Sequence, residues 1–204
     1  MELRDALMQI SEIRQQMAAT QVFRGYRAAT TAFSGLLAVC AGGAQAVWLP
    51  QPAVHVDAYL ALWGSVAVLS MAVVGVAMGV RYARSQSELQ REITVAAVEQ
   101  FVPCLVAGGL LTYVMRHSVY WDLWMLPGLW SIVFGLGIFA SRRLLPRAVA
   151  VSGGYYLLAG LLCLVLGQGP RSFSPWTMGL TFGVGQFLTA GILWWTLERG
   201  HGRE

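Results

Sequence analysis

Six apolar runs of roughly 20 residues, joined by short polar or arginine-bearing links, constrain this chain more than any motif within it. A helix of that length crosses ~30 Å of hydrocarbon while satisfying its own backbone N–H and C=O groups. The runs lie at about 27–49, 58–80, 93–115, 119–140, 147–167 and 176–197. Charged residues make up 12% of the chain, about half the share usual in a soluble domain, too few to solvate a globular surface. The expected fold is therefore all-α: a polytopic transmembrane bundle of about six helices over residues 25–199, preceded by a separate segment (1–24) and followed by a short tail (200–204).

Arginine sets the expected orientation. All 14 basic side chains are Arg. Arg4, Arg14, Arg24, Arg27, Arg81, Arg84, Arg91, Arg142, Arg143, Arg147, Arg199 and Arg203 fall in the N-terminal segment, the even-to-odd links and the C-terminus; only Arg116 and Arg171 fall on the other side. The positive-inside rule then places both termini in the cytoplasm. Trp48, Trp121, Trp124 and Trp176 fall at the outer ends and Trp194 and Trp195 at an inner one, as indoles at the headgroup levels should. Trp63 and Trp130 sit deeper and read as packing residues, and Tyr155 and Tyr156 as interfacial anchors. The arginines cluster at span ends and form no nucleic-acid-binding face, so the bilayer is the expected partner and nucleic acid is not.

Residues 1 to about 22 carry Leu3, Leu7, Ile10, Ile13 and Met17 at spacings of three and four, with Arg4, Glu12 and Gln15 between them. That spacing predicts an amphipathic helix on the cytoplasmic side, serving lipid, the bundle itself or a protein partner. Within the spans, small residues mark where helices approach. The pairs are Gly75 with Gly79, Gly179 with Gly183, and Ser131 with Gly135. Intramolecular packing is the first expectation for these seams and homo-oligomerisation the second.

Polar residues inside apolar runs are the candidates for chemistry. Glu99 and Gln100 lie in the third run and Gln186 near the middle of the sixth. Pro103, four residues after Glu99, withholds a donor from its carbonyl and is expected to kink the helix. Pro127 and Gly128 mark a second expected kink, in the fourth run. If the third and sixth helices meet, Glu99, Gln100 and Gln186 form one proton or ligand site. On the outer side, His55, Asp57, His117 and Asp122 offer donors suited to zinc if the loops converge, although their spacing matches no metal motif. Cys40, Cys104 and Cys163 lie in apolar runs and imply no disulfide framework. The chain carries no nucleophile elbow, HExxH, phosphate loop or paired intramembrane aspartates. No catalytic residue and no cofactor is predicted, and the reading leans away from an enzyme.

The stretches Val98-Glu99-Gln100-Phe101-Val102-Pro103-Cys104, Leu123-Trp124-Met125-Leu126-Pro127-Gly128-Leu129-Trp130 and Gly185-Gln186-Phe187, with the closing Trp195-Thr196-Leu197-Glu198-Arg199, resemble a group of small bacterial six-span inner-membrane proteins. That resemblance spans nearly the whole chain and implies a bacterial cytoplasmic membrane. It carries over no activity, ligand or catalytic residue. Two functional expectations follow from the residues. The first is a non-catalytic sensor, regulatory or accessory subunit working through helix–helix association; the second is a small-molecule or proton-coupled transporter using Glu99, Gln100 and Gln186.

Overall fold

The computed structural model describes residues 28–84, 88–118, 120–143 and 145–199. The expected amphipathic segment (1–24) and the tail (200–204) lie outside the described residues. The remainder forms helices α1 (Ala28–Trp48), α2 (Val56–Arg84), α3 (Glu88–Ser118), α4 (Leu126–Ala140), α5 (Ala150–Leu166) and α6 (Pro175–Leu193). There is no strand among the described residues. All six helices, with the turns that adjoin α4, α5 and α6, are long and apolar enough to cross a membrane. Their outward sides carry Leu158, Leu161, Leu162, Val165 and Leu166 on α5, each at least half exposed, an apolar surface that water would not tolerate. The protein is a multi-pass all-α membrane bundle.

Local chemistry sets the helix ends. Short 3-10 turns at Tyr120–Met125, Arg147–Val149 and Gly169–Phe173 lead into α4, α5 and α6. Gly169 takes a φ of 69°, a conformation that glycine adopts without steric cost. Pro127 stands in the first turn of α4 and Pro175 in the first turn of α6, where the missing N–H would have no intrahelical partner anyway. Pro127–Gly128 is thus the place where a 3-10 turn becomes an α-helix, at the start of α4. Pro103 lies within α3, which runs unbroken from Glu88 to Ser118.

Two helix pairs form the dense part of the bundle, and both are antiparallel seams built on glycines seven residues apart. Between α1 and α6, Gly42 faces Gly179, and Gly35 faces Gln186 and the Gly183 carbonyl. A Cβ at Gly42 would come within 3.3 Å of the Gly179 Cα. Between α4 and α5, Gly128 faces Gly160, and Gly135 faces the Gly153 carbonyl. A Cβ at Gly160 would meet the Gly128 oxygen at 2.7 Å. In both seams a step of two turns on one helix matches a step of two turns on the other, so backbones run in contact over a long stretch. Close approach maximises dispersion, the main attraction left between helices when the surroundings are as apolar as the side chains.

The pairs join through α5 against α6, and through an aromatic cluster in which Phe134 of α4 packs edge-on against Tyr156 of α5 and Phe182 of α6. Tyr156 is completely buried and its hydroxyl faces the Phe182 carbonyl. It is therefore a core residue, where the sequence had placed an interfacial anchor. Neighbouring Tyr155 remains partly open, with its hydroxyl toward the Leu180 carbonyl. The helix α3 packs on α4, where Phe101 and Cys104 fill the notch left by Gly137. The helix α2 packs on α1. Going round the bundle the order is α2, α1, α6, α5, α4, α3, with a sparse contact from α3 back to α2.

Candidate functional site

The α2–α3 hairpin stands apart from the rest of the bundle. Its central stretches bury 6% and 0% of their residues, against 39% in α1 and 44% in the α4 span. Contacts at its two ends set its register. At the arginine-poor end, Arg116 donates to both oxygens of Asp57, at 2.6 Å from Nε and 2.9 Å from Nη2. At the other end, the Arg91 guanidinium lies 5.3 Å from the centre of the Tyr82 ring. Asp57 and Tyr82 are as far apart along α2 as Arg116 and Arg91 are along α3, so one antiparallel register fits both contacts. In that register Gly75 lies level with Val98, and Gly79 with Thr94.

Between these fastenings the hairpin is open to its surroundings. A Cβ at Gly64, Gly75, Gly79, Gly108 or Gly109 would meet nothing within 4 Å. On α3 the outward stripe runs through Val95, Val98, Val102, Val106, Leu110 and Tyr113. Glu99 lies on the same side and is exposed. It stands five residues, about 8 Å at 1.5 Å per residue, inside the Thr94 end of the apolar stretch. A carboxylate facing hydrocarbon is unfavourable, by ~2.5–3.5 kcal/mol at the bilayer centre and less toward the headgroups. Gly75 and Gly79 of α2 stand at about the same depth as Glu99.

The other site candidates fall elsewhere. Gln186 lies on the α1–α6 seam, its Cβ against Gly35, and is almost fully buried. Gln100 is partly buried on α3, with its Oε1 enclosed and without a hydrogen-bond partner. Gly179 and Gly183 pack within the protomer, whereas Gly75 and Gly79 do not. At the arginine-poor end, Asp57 is engaged by Arg116, while His117 directs Nδ1 to the Tyr113 carbonyl at 2.8 Å and lies over that ring. His55 and Asp122 do not complete a metal-holding group with them among the described residues.

One polar residue that the sequence reading passed over proves central. Gln45 of α1 is completely buried. Its Nε2 donates to the Phe173 carbonyl at 2.7 Å, and its Oε1 accepts from Trp63 Nε1 at 2.8 Å. One amide thus ties α1 to α2 and to the turn before α6. Tyr59 packs edge-on against Phe173 alongside, its hydroxyl buried without a partner, as is that of Ser172. A second tie links α4 to α3: Trp130 Nε1 donates to Thr112 Oγ1 at 2.9 Å, and Thr112 donates to the Gly108 carbonyl. The signal for Gln45 was its place among Gly42, Gly43, Ala44 and Ala46, a polar side chain amid residues too small to cover it.

No family model, curated protein or solved structure compared with the chain gives a match.

Proposed function

We propose that this chain is a non-catalytic membrane subunit, regulatory or accessory in role, whose working surface is the outward face of α2 and α3. The observation that carries the reading is the contrast among its glycines. Most glycines in α1, α4, α5 and α6 are packed to contact, with Gly43, Gly154 and Gly191 open, whereas in α2 Gly75 and Gly79, one turn apart, both stand open at about the depth of the exposed Glu99 carboxyl. A small-residue groove of this kind lets a second helix approach closely enough for dispersion and Cα–H contacts to hold it. The occupant we favour is a second copy. Copies inserted with one orientation present their α2 helices in parallel and at equal depth, so Gly75 meets Gly75 and Gly79 meets Gly79. The resemblance of the quoted stretches suggests a bacterial cytoplasmic membrane, and the 12-to-two arginine asymmetry favours the arginine-rich end inside, by the rule that cytoplasmic loops retain the positive charge. The 1–22 segment would then lie on the cytoplasmic side, available to a protein partner.

The transport reading asks Glu99, Gln100 and Gln186 to line one path. Gln186 sits in the α1–α6 seam and Glu99 on the outward side of α3, so no observation favours that reading over association. The test is native mass spectrometry of protein gently released from its own membrane, comparing wild type with Gly79→Ile. Dimers in wild type that become monomers in the variant support the proposal. A monomeric wild type with no co-purifying protein refutes it, and a stoichiometric second protein lost in the variant would move the occupant from a copy to a partner.

A further inference from the structure

The arginine-rich end of α6 departs from regular helix. After Leu193 the hydrogen-bonding widens into a π turn, Trp194–Glu198, a local irregularity often found at functional sites. Trp194 and Trp195 stand three and four residues beyond Gly191, hence on the same side of the helix as that glycine. Both indoles are about half exposed or more. The Arg199 guanidinium covers both, 4.1 Å from the centre of the Trp195 ring and 6.0 Å from that of Trp194.

Two shallow, open apolar depressions lie beneath these groups on either side of Gly191. One, of about 390 Å³, lies between α1 and α6 and is lined by Ala28, Ala29, Ala32, Ala190, Gly191 and Trp194. The other, of about 420 Å³, lies across Gly191 from the first, where Ala148, Phe187, Ile192 and Trp195 contribute to the wall. No side chain separates them at Gly191, where an added Cβ would meet nothing within 4 Å. Arg147, exposed, adjoins Ala148 at the edge of the second groove.

We propose that this end of α6 binds one anionic glycerophospholipid, with an acyl chain in each groove and the phosphate beneath Arg199, flanked by Arg147. Three features select that ligand. The grooves are apolar and paired, as two chains leaving one glycerol are. They converge under a cation at the level where a tryptophan pair marks the headgroups. The Arg199 guanidinium, held over the two indoles, carries the N–H fork that pairs with phosphate oxygens. A single-chain amphiphile would leave one groove to bulk lipid, and a zwitterionic headgroup would gain less from the two arginines.

The experiment mixes purified protein with equal amounts of dioleoyl phosphatidylglycerol and dioleoyl phosphatidylcholine and counts retained lipid by native mass spectrometry. Wild type is expected to keep one phosphatidylglycerol per chain, about fivefold over phosphatidylcholine, the preference one arginine near a surface confers. Arg199→Gln is expected to lose that preference, and Gly191→Leu to lose both lipids while melting in lipid-free detergent like wild type. Equal retention of the two lipids by wild type overturns the proposal. So does a Gly191→Leu protein that still selects phosphatidylglycerol, because the selection would then come from general positive charge. Should Gly191→Leu fail to fold, Ala29→Leu, which fills one groove from an exposed position, takes its place, and undiminished retention there is likewise fatal.

Discussion

The α4–α5 pair and the α2–α3 hairpin are both antiparallel, both joined by short links, and held together by opposite means. In α4–α5 the contact is backbone against backbone along a line of glycines, continuous from Gly128–Gly160 to Gly135–Gly153. In α2–α3 the described ties include an ion pair at one end and a cation over a tyrosine ring at the other, with Gly64, Gly75, Gly79, Gly108 and Gly109 between them touching nothing. Glycine itself therefore does not make a seam. Facing partners at matching two-turn steps do, and unmatched glycines leave a groove for something outside the protomer.

Filling the first seam should have the largest effect. Leucine at Gly160 would drive a side chain into the Gly128 carbonyl and Ile132, and neither helix can yield without parting. Overpacking commonly costs ~1–3 kcal/mol. With backbone on both sides, Gly160→Leu is expected at or beyond the top of that range, read as loss of a cooperative thermal transition in detergent. A variant that melts within a few degrees of wild type would break the contrast drawn between the two pairs. Gln45→Leu comes next. It leaves the Trp63 N–H and the Phe173 carbonyl buried without partners, at ~1–3 kcal/mol for each group so stranded. A fall in melting temperature is the expected outcome, and Gln45→Glu should restore it at acid pH, where a protonated carboxyl both accepts from Trp63 and donates to Phe173, and not where it is ionised. An unchanged melting temperature in Gln45→Leu would mean that the amide is not what ties α2 and the turn before α6 to the dense part of the bundle.

The difference between the pairs also explains how much could be read from the residues. Six helices and their approximate limits were legible, because the length of an apolar run is a one-dimensional property that hydrocarbon thickness converts directly into structure. Only the fourth span was misjudged in kind: its first third is the 3-10 turn Tyr120–Met125, and Pro127 opens the α-helix where a kink had been expected. Packing was far less legible. The small-residue flags at Gly179, Gly183 and Gly135 do fall in the seams, but the same spacing also flagged Gly75–Gly79, which meets nothing, and it left out Gly35, Gly42, Gly128, Gly153 and Gly160, which the seams need. Nothing in the sequence separates a glycine that will be met from one that will not. The residues do not reveal the ring order, in which α6 lies between α1 and α5 while α3 leans on α4. Gln45 went unnoticed because an amide near a helix end looks solvated until the turn at Phe173 folds over it.

The hairpin's own fastenings give the smaller effects. Arg116→Ala removes an exposed pair, and such pairs contribute little to stability, so the melting temperature should stay within error. The hairpin should nevertheless loosen at its arginine-poor end. A cysteine placed at Val54 or Tyr113 is expected to label faster with a water-soluble maleimide in the Arg116→Ala background, and unchanged rates would mean that the ion pair does not hold the hairpin.

Smallest of all in the isolated protomer is Gly79→Ile, and its value lies in that smallness. The added side chain meets no atom of its own chain within 4 Å of the new Cβ, and in a helix facing lipid a β-branched residue costs at most a few tenths of a kcal/mol in χ1 freedom. The monomer should melt as wild type does. In a pair packed through this groove the same Cβ would stand where the neighbouring backbone has to lie, so association should fall by at least tenfold, read as the monomer fraction across a detergent dilution series. The two measurements have to diverge. If stability and association fall together, the glycine is supporting the protomer and α2 is better packed than its open surface indicates. If neither falls, the groove is a lipid-filled surface and the working face must be sought elsewhere on the bundle.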